Sequence, residues 1–521
     1  MRTIVQHLAF AMMALLPLGA VAAGDSEPPW VVAQAKSPTP AQAPTRGGTL
    51  TIGSLSSPRL LDPHKVASVD DYLHTFWMYN ALTRIQADLQ VTPDLAVSWK
   101  ASADLLKWTF VLRKGVRFHN GREMTAEDVV ASVKRVQDPA TGSVARGLIQ
   151  MVREINAVDA STVEFVLSAP YANLPIALGA IQMKIAPREL LGSLAEKPVG
   201  TGPFKFVELV QGSHLKLARN DNYFIAGQPF VNEMTYKVLP EALVAATALR
   251  RGEIDVWYRI PSDQIRDLQR AGGNVVVEGT PTGSFDAIIV HNKRKPFNDP
   301  KFRLALNYAT DKQKLLEAVL FGYGTVVETP VSPSSPVFKK DLPARKQDIA
   351  KAKKLLAEAG YPNGIDLTII AQSGRPNRER LALVVQDMWK PAGIRLKVEK
   401  VPSDRFVADV ELKADMYASG FAGRAAVDQI LQVSTHSKGT YNMFHYENAK
   451  VDALLDEGRQ ARTLEDQKRI YGQVQQEMFN DPPGVIAYVL NDYTGFRKQV
   501  RNYGVHPLFG VMYLDNVWIA K

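Results

Sequence analysis

Between Asp366 and Val401 the chain reads DLTIIAQSGRPNRERLALVVQDMWKPAGIRLKVEKV, and its apolar spacing changes twice. Asp366–Ile370 is an apolar run of strand length. Leu381, Val384, Val385 and Met388 then fall at i, i+3, i+4 and i+7, one face of a helix over Arg378–Lys390. Arg395–Val401 returns to a strand pattern. Strand, helix and strand in this order make a βαβ unit, which places two parallel strands side by side beneath a crossover helix.

The same grammar extends outward in both directions. Asp348 is placed to cap IAKAKKLLAEA, whose Ile349, Ala352, Leu355, Leu356 and Ala359 share a face, and Gly360 and Pro362 end it. Asp311 is placed to cap KQKLLEAVLF. Thr125 and Asp128 frame a capping box before Val129, Val130, Val133 and Val136. Helix Glu241–Arg250 followed by strand Ile254–Tyr258 marks a second α/β region. Ile470, Val474 and Met478 mark a late helix. Thr49–Leu55 reads as a strand, and Lys107–Phe118 alternates Trp108, Phe110 and Leu112 against more polar neighbours. Phe204–Val210 and Leu215–Ala218 pair through a turn at Gly212, and the turn Gly200–Thr201–Gly202–Pro203 uses glycine for φ > 0 and proline to fix the exit. The expectation is two α/β lobes and a strand-rich third region, with ligand loops at strand ends facing a crevice.

Composition narrows the classes. The 521 residues hold no cysteine, which removes disulfide scaffolds, iron–sulfur clusters and thiol nucleophiles together. Lys and Arg number 62 against 53 Asp and Glu, a net charge of +9 spread over the whole chain. Nucleic-acid binding requires that charge to be clustered, and it is not. Met1–Ala23 has one early cation at Arg2, an apolar run from Leu8 to Val21, and small residues at Ala20, Ala22 and Ala23, the pattern of a cleaved export signal. Residues 24–46, rich in Pro and Ala, read as a disordered leader. The mature protein is expected to be exported.

Pro93–Val136, with PDLAVSWKASADLLKWTFVLRKGVRFHNGREMTAEDVVASVKRV, resembles the signature region of the bacterial extracellular solute-binding proteins, family 5. PVGTGPFKFVEL (Pro198–Leu209), ALRRGEIDV (Ala248–Val256), Phe297–Gly324, Ala352–Gly364 and Glu447–Arg459 are similar to the same family in the same order. The resemblance implies a periplasmic-binding-protein-like α/β clamshell of the class II, cluster C type with an additional inserted domain. It places lobe I at 47–78, 199–295 and 490–521, domain II at 79–198 and lobe III at 296–489. It also implies capture of a peptide-like or carboxylated small molecule, delivery to ABC permease subunits in the inner membrane, a monomer, no cofactor and no catalysis.

In ASGFAGRAAVDQIL (Ala418–Leu431) the resemblance marks the cleft-facing loop. Dipeptide-binding members carry an acid after the glycine to hold a ligand ammonium. Here that position is Arg424, which repels an ammonium and favours a carboxylate or phosphate. Asp428 matches a family acid; it is placed to bind a cation, to orient Arg424 or to cap the helix near Gln429. Phe421 supplies an apolar wall or a core aromatic. Arg375, in QSGRPNRERL, resembles a position that contacts a ligand carboxylate, or it pairs with the helix terminus or is simply solvent-exposed. Arg146, in TGSVARGLIQ, resembles cations that hold a chelator's carboxylates, or it is a surface arginine. Tyr72, Phe76 and Trp77 either line the cleft or pack one helix face, and Arg303 reads as an ion-pair partner inside its helix.

Rival chemistries leave no signature. No H-E-x-x-H, G-x-S-x-G, Walker or dinucleotide motif is present, so no metal is expected. An exported hydrolase of peptides or glycans, and a ligand sensor without transport, remain as alternatives. Turnover of a bound compound distinguishes the first.

Overall fold

The computed structural model describes residues 43–521, so the signal reading and most of the leader reading fall outside the described residues. One 11-stranded sheet runs through the molecule. Its main order is Ile394–Val401, Ile365–Gln372, Met416–Phe421, Val275–Val290, Val485–Arg497, Val256–Trp257, Thr49–Ser54, Glu233–Val238, His214–Arg219 and Phe204–Val210. The strands of the Asp366–Val401 βαβ unit are parallel and adjacent, Ile365 against Ile394 through Gln372 against Val401. Helix Pro376–Trp389 joins them, burying Leu381, Ala382, Val385 and Trp389.

Each end of the sheet carries apolar cores on both faces, and the strands nearest its middle, such as 416–421, are the most fully buried. At the 365–401 end, helices Pro300–Ala309, Lys312–Leu320, Ile349–Glu358 and 376–389 enclose one core around Phe302, Leu306, Leu356 and Trp389. Helices Asp428–Ser434, Ala449–Gly458 and Leu464–Asn480 enclose another around Tyr417, Leu431, Tyr471 and Met478. At the other end, helix Val69–Met78 packs Phe76 and Trp77 on Leu50, Phe204 and Met234. Helices Ala242–Arg251 and Ser262–Ala271 fill the opposite face with Leu249, Ile265 and Leu268. These are two α/β lobes.

A separate four-stranded antiparallel sheet, in the order Ala96–Ala101, Lys107–Leu112, Thr162–Leu167 and Val152–Asp159, packs on helix Ala126–Gln137 around its own core of Phe110, Phe165 and Val133. Trp108, Phe110 and Leu112 point inward as their alternation predicts. The capping box at Thr125 and Asp128 is formed, and Asp311 and Asp348 each accept a backbone N–H at their helix starts.

Two expectations change. Ile254–Tyr258 is a strand only at Val256–Trp257, because the chain turns out at Arg259 with φ 56°. Gly200 and Gly202 are needed for close approach rather than for positive φ. A Cβ on Gly202 would lie 2.4 Å from the Met78 carbonyl carbon, and one on Gly200 would lie 2.1 Å from the Met78 oxygen. The turn is therefore wedged beneath the end of helix 69–78, and Gly202 N–H donates to Met78 O at 3.0 Å.

The lobes are joined through strands 275–290 and 485–497. Val275–Pro281 pairs with Arg497–Asn491 in the first lobe, and Phe285–Ile288 pairs with Val489–Val485 in the second. Between Pro281 and Phe285 the register breaks. Extra residues at such a break leave ladder positions unpaired and bend the sheet.

Candidate functional site

The break positions the cleft loop. Strand Met416–Phe421 pairs with the second-lobe part of 275–290, Phe421 opposite Phe285, and then leaves the sheet. Gly423 comes down on Gly283 so closely that a Cβ on Gly423 would lie 2.7 Å from Gly283 Cα. The Gly423 N–H donates to Ser284 Oγ at 2.9 Å. Two glycines and a serine thus fix the loop at the point where the sheet passes between lobes, and Arg424 is the next residue.

Arg424 faces the other lobe. Its charge is felt by Tyr72 of helix 69–78, and Ala425 packs on the first-lobe core. The only hydrogen bond from its guanidinium among the described residues runs from Nη1 to the neighbouring Gly423 O at 3.2 Å. No carboxylate among the described residues lies within salt-bridge distance. Burial pulls the guanidinium below its usual pKa, and Tyr72 opposes this. Burial likewise raises the Tyr72 phenol, against the pull of Arg424. A half-buried cation without a counter-ion is costly in a folded chain, and an anion entering the cleft relieves that cost.

The other predicted residues divide. Phe421 is half-buried, stacked on Phe285 at 6.4 Å and tilted against Tyr441 at 5.9 Å, so it forms the apolar wall beside the loop. Asp428 is buried and takes up an internal bond: Asn173 Nδ2 donates to it at 2.7 Å. Burial raises its carboxyl pKa, and the Asn173 bond works against that rise. Alongside, Ala172 N–H donates to Arg459 O and Gln467 to Asn173 Oδ1, so Asp428 serves the contact between segment 171–173 and the second lobe. Arg375 is exposed at the N-cap of helix 376–389 and makes no side-chain capping bond. Arg146 is not brought to the loop. It lies exposed beside Gln137, Ser143 and Gln150, and its Nε donates to Gln137 O at 3.1 Å. Phe76 and Trp77 are core residues, whereas Tyr72 reaches the cleft.

A cavity of about 340 Å³ opens between the lobes next to the break. Asp70, Tyr258 and Arg259 line it from the first lobe, Asn377 and Tyr323 from the second, and Asp492 from the connecting strand. Asp492 is buried, which lifts its carboxyl to about 6, while Arg259 pulls the other way. Asp492 carries no signal in the sequence, because a lone acid in a strand belongs to no motif or spacing. Among the described residues no three histidine or acidic side chains converge as a metal ion would need, and no helix is long and apolar enough to cross a membrane.

The model of the bacterial extracellular solute-binding proteins, family 5, matches residues 90–442. The chain belongs to that family. The oligopeptide-binding protein AppA of Bacillus subtilis is 29% identical over 511 residues, covering 92% of this chain and 93% of AppA. The periplasmic binding protein DppA of Helicobacter pylori, solved with the peptide STSA, superposes with a TM-score of 0.76 at 25% identity, covering 92% and 99% of the two chains. HbpA2 of Haemophilus parasuis superposes at 0.84, also at 25% identity, over 91% of this chain and all of that one. This family 5 member is accordingly a solute-binding protein with the two-lobed clamshell fold, and its register break lies where the two lobes of the clamshell meet.

Proposed function

We propose that the protein captures a peptide-like or carboxylated solute between its lobes and presents it, as a monomer, to the permease of an ABC importer. The relatives named for oligopeptides, and the peptide held by DppA, supply the ligand class. The observation that carries the reading is Arg424: a guanidinium at the lobe junction, facing the opposite lobe, with no acid beside it among the described residues. A solute carboxylate there touches both lobes only when they are closed, so binding favours the closed form by population shift. Export by a cleaved signal to the periplasm fits this role.

The test starts with native mass spectrometry of protein taken from its own host, which identifies the retained solute. Calorimetry with that solute then compares the wild type with Arg424→Asp. Charge-assisted hydrogen bonds contribute about 1.5–3 kcal/mol, so a carboxylated solute is expected to bind roughly 10- to 150-fold more weakly to the variant. Unchanged affinity removes Arg424 from the site. Chemical conversion of the solute on the protein overturns the reading altogether.

A further inference from the structure

Arg424 accounts for one end of a solute, and the inter-lobe cavity accounts for the other. We propose that this cavity, with Asp492 in its wall, is a cation subsite that holds the ammonium end of a zwitterionic, peptide-sized solute whose carboxylate lies on Arg424. The inference rests on the cleft reading given above and adds to it the polarity and length of the solute.

Three observations carry it. First, the cavity is lined from both lobes, so a group inside it bridges them as a group on Arg424 does. Second, the Asp492 side chain is only 6% exposed, yet its one ion-pair partner among the described residues is Arg259, at 3.9 Å. That is beyond hydrogen-bond reach. Arg259 is itself 43% exposed, sits in the left-handed region at φ 56°, and lays its guanidinium over Phe509 at 4.8 Å. It shields the carboxylate without bonding it, and the backbone N–H of Tyr493 supplies the one hydrogen bond the group has among the described residues, leaving acceptor capacity for a group in the cavity. Asp70, at the start of helix 69–78, adds a second acid to the wall, and Asn377, Tyr258 and Tyr323 add neutral polar groups.

Third, the spacing fits. Asp492 is paired in the ladder with Thr280, three positions before Gly283, and Gly283 lies against Gly423. Three residues of chain span at most about 10 Å, and the bend at the register break shortens that span. An extended peptide spans at most about 3.5 Å per residue, so two or three residues bridge the pair. Both subsites also meet the same helix, Asp70 at the cavity and Tyr72 at Arg424. The charge order is opposite to a cleft that holds the ammonium on the 418–431 loop.

The experiment uses a random tripeptide library. Native mass spectrometry selects a retained sequence, and calorimetry follows its free, N-acetylated and C-amidated forms on the wild type, Asp492→Asn and Arg424→Gln. N-acetylation is expected to weaken binding at least tenfold to the wild type and less than threefold to Asp492→Asn. C-amidation is expected to weaken binding to the wild type and to Asp492→Asn, but not to Arg424→Gln. Acetylated peptide binding the wild type as tightly as the free form overturns the cation subsite, as does a penalty undiminished in Asp492→Asn. Amidated peptide binding the wild type as tightly as the acid overturns instead the carboxylate reading of Arg424. Retention of no tripeptide in any form overturns both.

Discussion

Arg303 and Arg424 are both arginines turned inward, and their surroundings give them different work. Arg303 is 5% exposed; its Nε donates to Pro482 O at 2.9 Å, Nη1 to Phe297 O at 2.7 Å, and Nη2 pairs with Asp481. Each face of that guanidinium is answered from within the chain, as the sequence reading of an ion-pair partner expects. Removing one member of a buried pair strands the rest, at about 3–5 kcal/mol, and the partial exposure of Asp481 holds the effect near the lower end. Arg303→Met is therefore expected to lower unfolding stability by about 3 kcal/mol in a urea titration. Arg424 predicts the reverse. Its guanidinium has no acid to strand among the described residues, so Arg424→Met should leave the melting temperature unchanged or raise it while solute affinity falls. A drop of more than about 5 °C on calorimetric melting assigns it to the framework instead, since 1 kcal/mol corresponds to roughly 2–4 °C in domains of this size.

At the scale of elements, the glycines that hold the site act by closeness. A methyl group on Gly202 has only backbone to meet, at 2.4 to 2.6 Å from Trp77, Met78 and Tyr79, and backbone cannot step aside as a flexible side chain can. Gly202→Ala must lift the turn from the end of helix 69–78, which also carries Tyr72. Overpacking of this kind costs about 1–3 kcal/mol, so chemical denaturation should show a loss of that size, with weakened solute binding in the protein that still folds. The position was legible from GTGP as a required glycine, but its reason was not, because the backbone it meets lies far away in sequence. The helices were legible for the opposite reason: their period and caps are local, as at Thr125 and Asp348. Strands 275–290 and 485–497 were not. Residues 282–290 are buried without alternation, and Pro281–Thr282–Gly283 looks like an ordinary turn. A long apolar run cannot be told from a buried helix by periodicity, and only the partner strand reveals that the turn is a register break. Hence Arg424 and Phe421 could be named from their loop, whereas Asp492, on the connecting strand, could not.

Across the whole molecule, the buried titratable groups set a pH window for the folded chain. His64, His74 and His506 are all buried, and burial pushes each imidazole from 6.5 down to about 4, against backbone hydrogen bonds that favour the charged form. Between pH 6.5 and 4 the unfolded chain binds more protons at these sites than the folded one, so their contribution is intact above 6.5 and is lost as pH falls. At pH 5 that loss is about 2 kcal/mol for each histidine. Asp492 has the opposite sign. Its carboxyl, raised from 3.8 to about 6, binds its proton in the folded state first, so stability is regained as pH falls through 6 and the cost of a buried charge is full at pH 7. Burial also lowers His119 and His291 to about 4, and it raises Asp94, Asp255 and Asp428 in the same sense as Asp492. The five histidines carry the larger total, so unfolding free energy should fall by several kcal/mol between pH 7 and pH 5. Asp492→Asn removes only one of the opposing contributions. At pH 7 the variant is expected to be more stable than the wild type by about 2–3 kcal/mol, and its acid loss should be steeper. Urea titrations at pH 7, 6 and 5 on both proteins decide the matter: parallel pH curves would show that Asp492 is already ionised and solvated in the folded protein. A gain in stability at neutral pH, obtained together with the loss of ammonium-dependent binding, is what a carboxylate kept buried for a solute rather than for the fold must show.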